Sequence, residues 1–171
     1  VAVAGQNKYI QPNTNARLYI FAGKSTTTYS GYPTGATSGY ITAVAANDDF
    51  SVCAVAIAGQ SPRKTTIDTT AYTIGGFGAL SASTASSVLW TKATMNDDGL
   101  VVVMGTSDGH VSVFTGTSVG ASYDLFEKTL TSVSITAVAC SGDGSRIVAV
   151  SEGGGLWLSV DKGTSWSRIF R

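Results

Sequence analysis

The chain has 171 residues, 43% of them hydrophobic and only 13% charged, against about 25% charged in an average soluble domain. Eleven basic residues balance eleven acidic ones, which argues against a nucleic-acid or anionic-membrane partner. Apolar runs such as Val52 to Ala58 fall far short of the roughly 20 residues that span a bilayer as a helix, so membrane insertion is not expected.

The chain opens on a short apolar strand over residues 1–5. A polar connection from Gln6 to Ala16 leads to a strand from Arg17 to Gly23 and a more polar one near Thr28 to Thr34. A second unit begins at Ile41-Thr42-Ala43-Val44-Ala45-Ala46, and Trp90-Thr91-Lys92-Ala93-Thr94-Met95 and Ile135-Thr136-Ala137-Val138-Ala139-Cys140 align with it without gaps. Each opening is followed by an Asp-rich turn and a second apolar run: Phe50 to Gly59, Leu100 to Gly105, Arg146 to Gly153. Such runs, rich in Val, Ile and Ala, suit strands buried on both faces. Third strands are expected near Ile67 to Thr73, at His110 to Thr117 and at Gly155 to Val160. Polar fourth strands are expected at Phe77 to Ser83, Tyr123 to Lys128 and Ser165 to Phe170. A period of roughly 40 to 50 residues built from strands alone is the signature of propeller blades. The expected fold is all-β: a β-propeller of four-stranded antiparallel blades over residues 1–40, 41–89, 90–134 and 135–171, the first lacking its innermost strand.

The turns Asn47-Asp48-Asp49, Asn96-Asp97-Asp98-Gly99 and Gly142-Asp143-Gly144 read as hairpin turns whose positive φ angles require Asn, Asp or Gly. A calcium loop would need more oxygen ligands at defined offsets. Cys53 and Cys140 lie in apolar runs of different units and read as buried free thiols, with a disulfide as the alternative. The single His110 builds no metal-ligand cluster, so no metal or cofactor is expected. The connections between second and third strands are tight at Ser107-Asp108-Gly109 and Glu152 to Gly155, but longer from Gln6 to Ala16 and from Gln60 to Thr66. Longer loops on one face of a repeat array are where binding tends to sit, neutral surface decoration being the alternative. Tyr9, Arg63 and Lys64 are the exposed candidates there, because aromatic and basic side chains anchor partners better than Ser or Thr.

The last unit contains Ser159-Val160-Asp161-Lys162-Gly163-Thr164-Ser165-Trp166. This resembles the Asp-box, or bacterial neuraminidase repeat, of pattern S-x-D-x-G-x-T-W, with Ser165 keeping the hydroxyl of the usual Thr. The line from Ile135 to Phe170 is similar to one blade of the Asp-box propellers, which include sialidases, the sortilin ectodomain and a photosystem assembly factor. The resemblance implies that Ser159, Asp161, Gly163, Ser165 and Trp166 hold a blade turn. It implies no catalysis, because the sialidase Arg-Ile-Pro signature is absent and Glu127 and Glu152 are the only glutamates. No window has helical periodicity, so neither a nucleophile elbow nor a phosphate-cradling loop at a strand-to-helix junction is expected.

The expectation is a non-enzymatic propeller that serves as a protein-binding, assembly or surface-attachment module. A glycan-binding propeller using Tyr29, Tyr32, Tyr72 and Tyr123 is the alternative, with a sialidase-type glycosidase a more distant one. Low charge with abundant Ser, Thr and Gly suits an extracellular, cell-surface or virion-surface setting. Without an innermost strand before Val1, residues Val1 to Gly5 form an open edge, which a protein partner or self-association is expected to cover. Part of a longer propeller, an assembly of copies and a four-bladed ring one strand short all satisfy this.

Overall fold

Alternating apolar strands joined by Gly- and Asp-rich turns pair with their chain neighbours, and the resulting sheets stack face to face. The computed structural model describes residues 2–5, 17–21, 28–31, 41–68, 70–71, 73–80, 89–116 and 124–170, and every described element is a β-strand. The first sheet has the order β1 (Ala2–Gly5), β2 (Arg17–Phe21), β3 (Thr28–Gly31). The second holds β4 (Ile41–Ala46), β5 (Val52–Ile57), β6 (Arg63–Asp68), then β7 (Thr73–Ile74) and β8 (Gly78–Ala79), both paired to β6. The third runs β9 (Trp90–Met95), β10 (Val101–Thr106), β11 (His110–Thr115), β12 (Asp124–Thr129). The fourth runs β13 (Ile135–Cys140), β14 (Ile147–Ser151), β15 (Leu156–Ser159), β16 (Ser167–Phe170). All described pairings are antiparallel. The architecture is that of propeller blades.

The second blade departs from the expected boundaries. Its third strand is Arg63–Asp68 rather than a segment near Ile67 to Thr73, with Val52 opposite Thr66 and Val55 opposite Arg63. Arg63-Lys64-Thr65-Thr66 reads as a polar loop, yet pairing with β5 draws Lys64 and Thr65 into the interior at 2% and 0% exposure. The connection shrinks to residues 58–62, so the expected insertion from Gln60 to Thr66 does not exist. The fourth strand is split at Gly75, whose amide donates to the Thr66 carbonyl at 2.9 Å. A Cβ at Gly75 would lie 2.7 Å from Thr66 Oγ1.

Neighbouring sheets share two cores. Ala45, Ala54 and Ala56 of the second sheet meet Trp90, Val102, Met104 and Phe114 of the third. On the other side of the third sheet, Val101, Val103, Val111 and Val113 meet Ile135, Ile147 and Ala149 of the fourth, with Trp157 and Trp166 packed against them. All six residues of β10 are therefore buried, and its apolar run has no polar face. Each inner strand carries a bulge at its Thr, where the register shifts. The bulged hydroxyls of Thr42, Thr91 and Thr136 donate to the carbonyls of Ala56, Gly105 and Val150. Thr91 also reaches the Ile135 carbonyl of the next sheet at 2.8 Å.

The turns from inner to second strand share one construction. The amides of Phe50, Gly99 and Gly144 donate to the carbonyls of Asn47, Asn96 and Ser141, and each of those residues pairs its own amide with Val52, Val101 or Arg146. The left-handed residue is the fourth, Gly99 at φ 74 and Gly144 at φ 69. In the second blade the positive φ falls on Phe50 at 60, not on Asn or Asp as expected. A Cβ on Gly99 would lie 2.9 Å from Val52 Cβ, and one on Gly144 would lie 2.6 Å from Val101 Cγ2, each in the preceding blade. Phe50→Gly removes a left-handed L-residue and is expected to raise the unfolding free energy by about 1 kcal/mol. Gly144→Ala adds both strain and overlap and should lower it by roughly 2–3 kcal/mol. Urea denaturation of the two variants checks both signs.

Candidate functional site

The turn at residues 159–166 is built almost wholly from side-chain hydrogen bonds. The Ser159 hydroxyl donates to Asp161 Oδ1 at 2.8 Å and accepts from the Gly163 amide at 2.8 Å. Asp161 Oδ1 also accepts from the Ser165 amide at 2.8 Å, and Oδ2 accepts from the Ser165 hydroxyl at 2.5 Å. Lys162 and Gly163 both take positive φ, at 57 and 90. A Cβ on Gly163 would lie 2.5 Å from Val113 of the preceding blade. Trp166 donates its indole N–H to the Gly163 carbonyl at 3.0 Å and packs against the core between third and fourth sheets. Both carboxylate oxygens are thus engaged within the turn, which leaves Asp161 poorly placed to move a substrate proton.

The inner turns use their carboxylates in the same way. Asp49, Asp98 and Asp143 accept through Oδ1 from the amides of Ser51, Leu100 and Ser145 at 2.9, 2.8 and 3.0 Å. Asn47 and Asn96 cap the following strand by accepting from Val52 and Val101 at 2.8 Å, and Ser141 replaces them in the last blade at 3.0 Å from Arg146. Hydroxyl and amide donors hold the carboxyls of Asp49 and Asp161 below the ordinary range, and they bring that of Asp143 to about 2.

Arg63 and Lys64 do not share one surface. Tyr9 lies outside the described residues. Arg63 is half-buried and Lys64 is buried, so the exposure expected of Lys64 is corrected. Adjacent strand residues point to opposite faces. Lys64 shares the register of Ala54, on the face toward the third sheet, while Arg63 shares that of Val55 on the opposite face. Burial holds the Lys64 ammonium below the usual lysine range, opposed by the Asp98 carboxylate of the next blade. Of the tyrosine series, Tyr32, Tyr72 and Tyr123 lie outside the described residues.

Two other places gather polar side chains. A shallow groove of about 420 Å³ opens where β4 and β9 begin, lined by Ile41, Thr42, Leu89, Trp90, Thr91 and Lys92. The hydroxyls of Thr42 and Thr91 already donate to carbonyls, which leaves exposed Lys92 as its charged group. At the β10–β11 hairpin, His110 Nδ1 lies 3.1 Å from Asp108 Oδ1, and the Thr106 hydroxyl also donates to that oxygen. Among the described residues no group of three His, Cys, Asp or Glu side chains is placed to hold a metal ion.

Edges and thiols complete the picture. Among the described residues β1 pairs with β2 alone, whereas β4, β9 and β13 occupy the inner place in the other sheets. Cys53 and Cys140 are free. Burial pushes the Cys53 thiol up to about 12 and raises that of Cys140 as well, with Thr94 opposing the latter shift. An aromatic disulfide reagent at pH 8 is expected to label neither thiol rapidly in the native chain and both after denaturation.

The depressed aspartates set the acid limit. Each contributes stability above the unfolded carboxyl range, near 4, that is lost as pH falls through its folded value. The thermal midpoint should be level from about pH 7 to 5 and drop between about pH 4 and 2. Asp143→Asn should shallow that drop, as followed by circular dichroism.

No protein-family model matches the chain, and no curated protein matches it. Among solved structures it is similar to Sqt1 of Saccharomyces cerevisiae, with a TM-score of 0.57 and 14% sequence identity. The likeness covers 77% of this chain and 34% of that one, so the chain spans about a third of the length of Sqt1. At this identity the similarity concerns the fold, which in both is that of a β-propeller.

Proposed function

We propose that the chain is a non-enzymatic propeller module that binds protein by completing its first blade with a strand from a partner. The observation that carries this reading is the edge position of β1. In the second, third and fourth sheets a six-residue inner strand lies beyond the equivalent strand, while among the described residues β1 heads its sheet. A strand edge presents unpaired amides and carbonyls to any extended peptide, and adding a strand there satisfies them. The carboxylates of Asp49, Asp98, Asp143 and Asp161 are committed to backbone amides, which supports binding over acid–base chemistry. The hydrogen bonding of residues 159–166 supports placing the last blade among Asp-box propellers, with Asp161 and Trp166 maintaining the turn.

The chain's own inner strands describe the guest. Ile41–Ala46 and Ile135–Cys140 share Ile-Thr-Ala-Val-Ala. A labelled peptide containing that run, flanked by lysines for solubility, should bind with saturation in fluorescence anisotropy, and a scrambled peptide should not. Equal binding of both peptides, or of neither, would sink the reading. A glycan array giving signal above background would favour the carbohydrate-binding alternative instead.

A further inference from the structure

The β10–β11 and β14–β15 hairpins hold the same place in successive blades and differ by one chemical group. Gly105 pairs with Val111 and Val150 with Leu156, so Thr106 and His110 of the third blade correspond to Ser151 and Gly155 of the fourth. Two residues beyond the hydroxyl stands Asp108 in the third blade and Gly153 in the fourth. The third blade therefore carries its own acceptor. Asp108 Oδ1 takes the Thr106 hydroxyl at 2.5 Å and lies 3.1 Å from His110 Nδ1.

The fourth blade keeps donors at this hairpin and lacks that carboxylate. Trp157 stands between Ala149 and Arg168, on the face turned toward the third sheet. Its indole nitrogen is buried and has no hydrogen-bond partner, whereas a buried indole N–H ordinarily finds one. The guanidinium of Arg168 lies over the ring, 5.5 Å from its centroid. The point where a Cβ of Gly155 would stand is 2.5 Å from Ser151 Oγ, 3.3 Å from Trp157 Nε1 and 3.5 Å from Arg168 Nη2. A hydroxyl, an indole N–H and a guanidinium thus gather at one glycine. The Ser151 hydroxyl makes one long bond, to the Gly155 carbonyl at 3.4 Å. Glu152, the acid of the hairpin, is exposed and does not reach the indole. A Cβ on Gly153 or Gly154 would meet nothing within 4 Å, so the crest of the hairpin is open to approach.

We propose that Ser151, Trp157 and Arg168 form a binding site for a carboxylate from outside the chain, which takes the part that Asp108 plays in the third blade. One carboxylate oxygen accepts from the indole N–H and the Ser151 hydroxyl. Arg168 swings aside to admit it and holds the other oxygen through a charge-assisted bond. An acidic side chain of a peptide and a small organic acid present this same group. The site lies apart from the β1 edge and does not depend on it.

The three tryptophans make the test direct. Trp90 and Trp166 already donate their indole N–H groups to the Gln60 and Gly163 carbonyls, so in heteronuclear NMR of the full chain they serve as references. The chain is titrated with glutarate and with acetyl-Gly-Glu-Gly-amide, each against sodium chloride of equal ionic strength. The indole peak that is missing from Trp157→Phe should move downfield and saturate, while the other two stay. Arg168→Ala should weaken the response about tenfold or more, with the Trp90 and Trp166 peaks in place to show that it is folded. Gly153→Asp should move the same peak without ligand and abolish the response, since Asp tolerates the left-handed backbone there, φ 79. Tighter binding of the peptide assigns the site to a protein partner, and tighter binding of glutarate to a small acid; either supports it. A peak that stays fixed up to about 50 mM carboxylate, well above a millimolar Kd, overturns the proposal. So does an equal response to chloride, or a response that Arg168→Ala retains in full. Failure here leaves the β1 reading standing, because the Ile-Thr-Ala-Val-Ala peptide carries no acidic side chain.

Discussion

Sheets stacked side by side crowd most at their inner strands, and that crowding decides which side chains the chain can carry there. Ala45, Ala54 and Ala56 form the inner part of one interface. Gly105 stands where a Cβ would lie 2.5 Å from Ile135 Cγ2 across the next. Larger groups appear where sheets diverge or at blade ends: Trp90 with its indole N–H on the Gln60 carbonyl, Phe114, Trp157 and Trp166. Packing at close to crystalline density allows few exceptions, since one added methylene must displace a neighbour. The Ala and Gly residues at these contacts follow from the geometry.

The turns answer to the same constraint. Gly99 and Gly144 fit against Val52 and Val101 of the preceding blade while their left-handed backbone closes the hairpin. Asn, Asp and Ser side chains then satisfy the amides that a tight turn leaves unpaired. The aspartates are thus structural acceptors, and their low proton affinity measures how well the amides and hydroxyls around them are spent. Phe50 is the exception. It takes the left-handed position with an exposed aromatic ring.

Strand edges and sheet faces in such a scaffold differ in chemistry: an edge offers directional hydrogen bonds that select an extended peptide, whereas a face offers area without direction and selects another sheet.

Much of this was legible in the order of residues. The gapless repeat of Ile41, Trp90 and Ile135 marked the inner strands, and Asp-Gly punctuation marked the turns, because local hydrogen bonding and two-residue alternation act over short distances. The sequence by itself therefore determined the all-β class, the strand order within three blades and the turn at residues 159–166. It misread Arg63 to Thr66, where charge suggested a loop. Only the tertiary structure decided that Lys64 lies buried beside the third blade, that Arg63 points the other way, and that Val148, Val150, Leu156 and Leu158 are half-buried while Val101 and Val103 are buried. The reason is physical: an apolar strand reads alike whether one face or both are buried, and the difference is made by a neighbouring sheet distant in the chain.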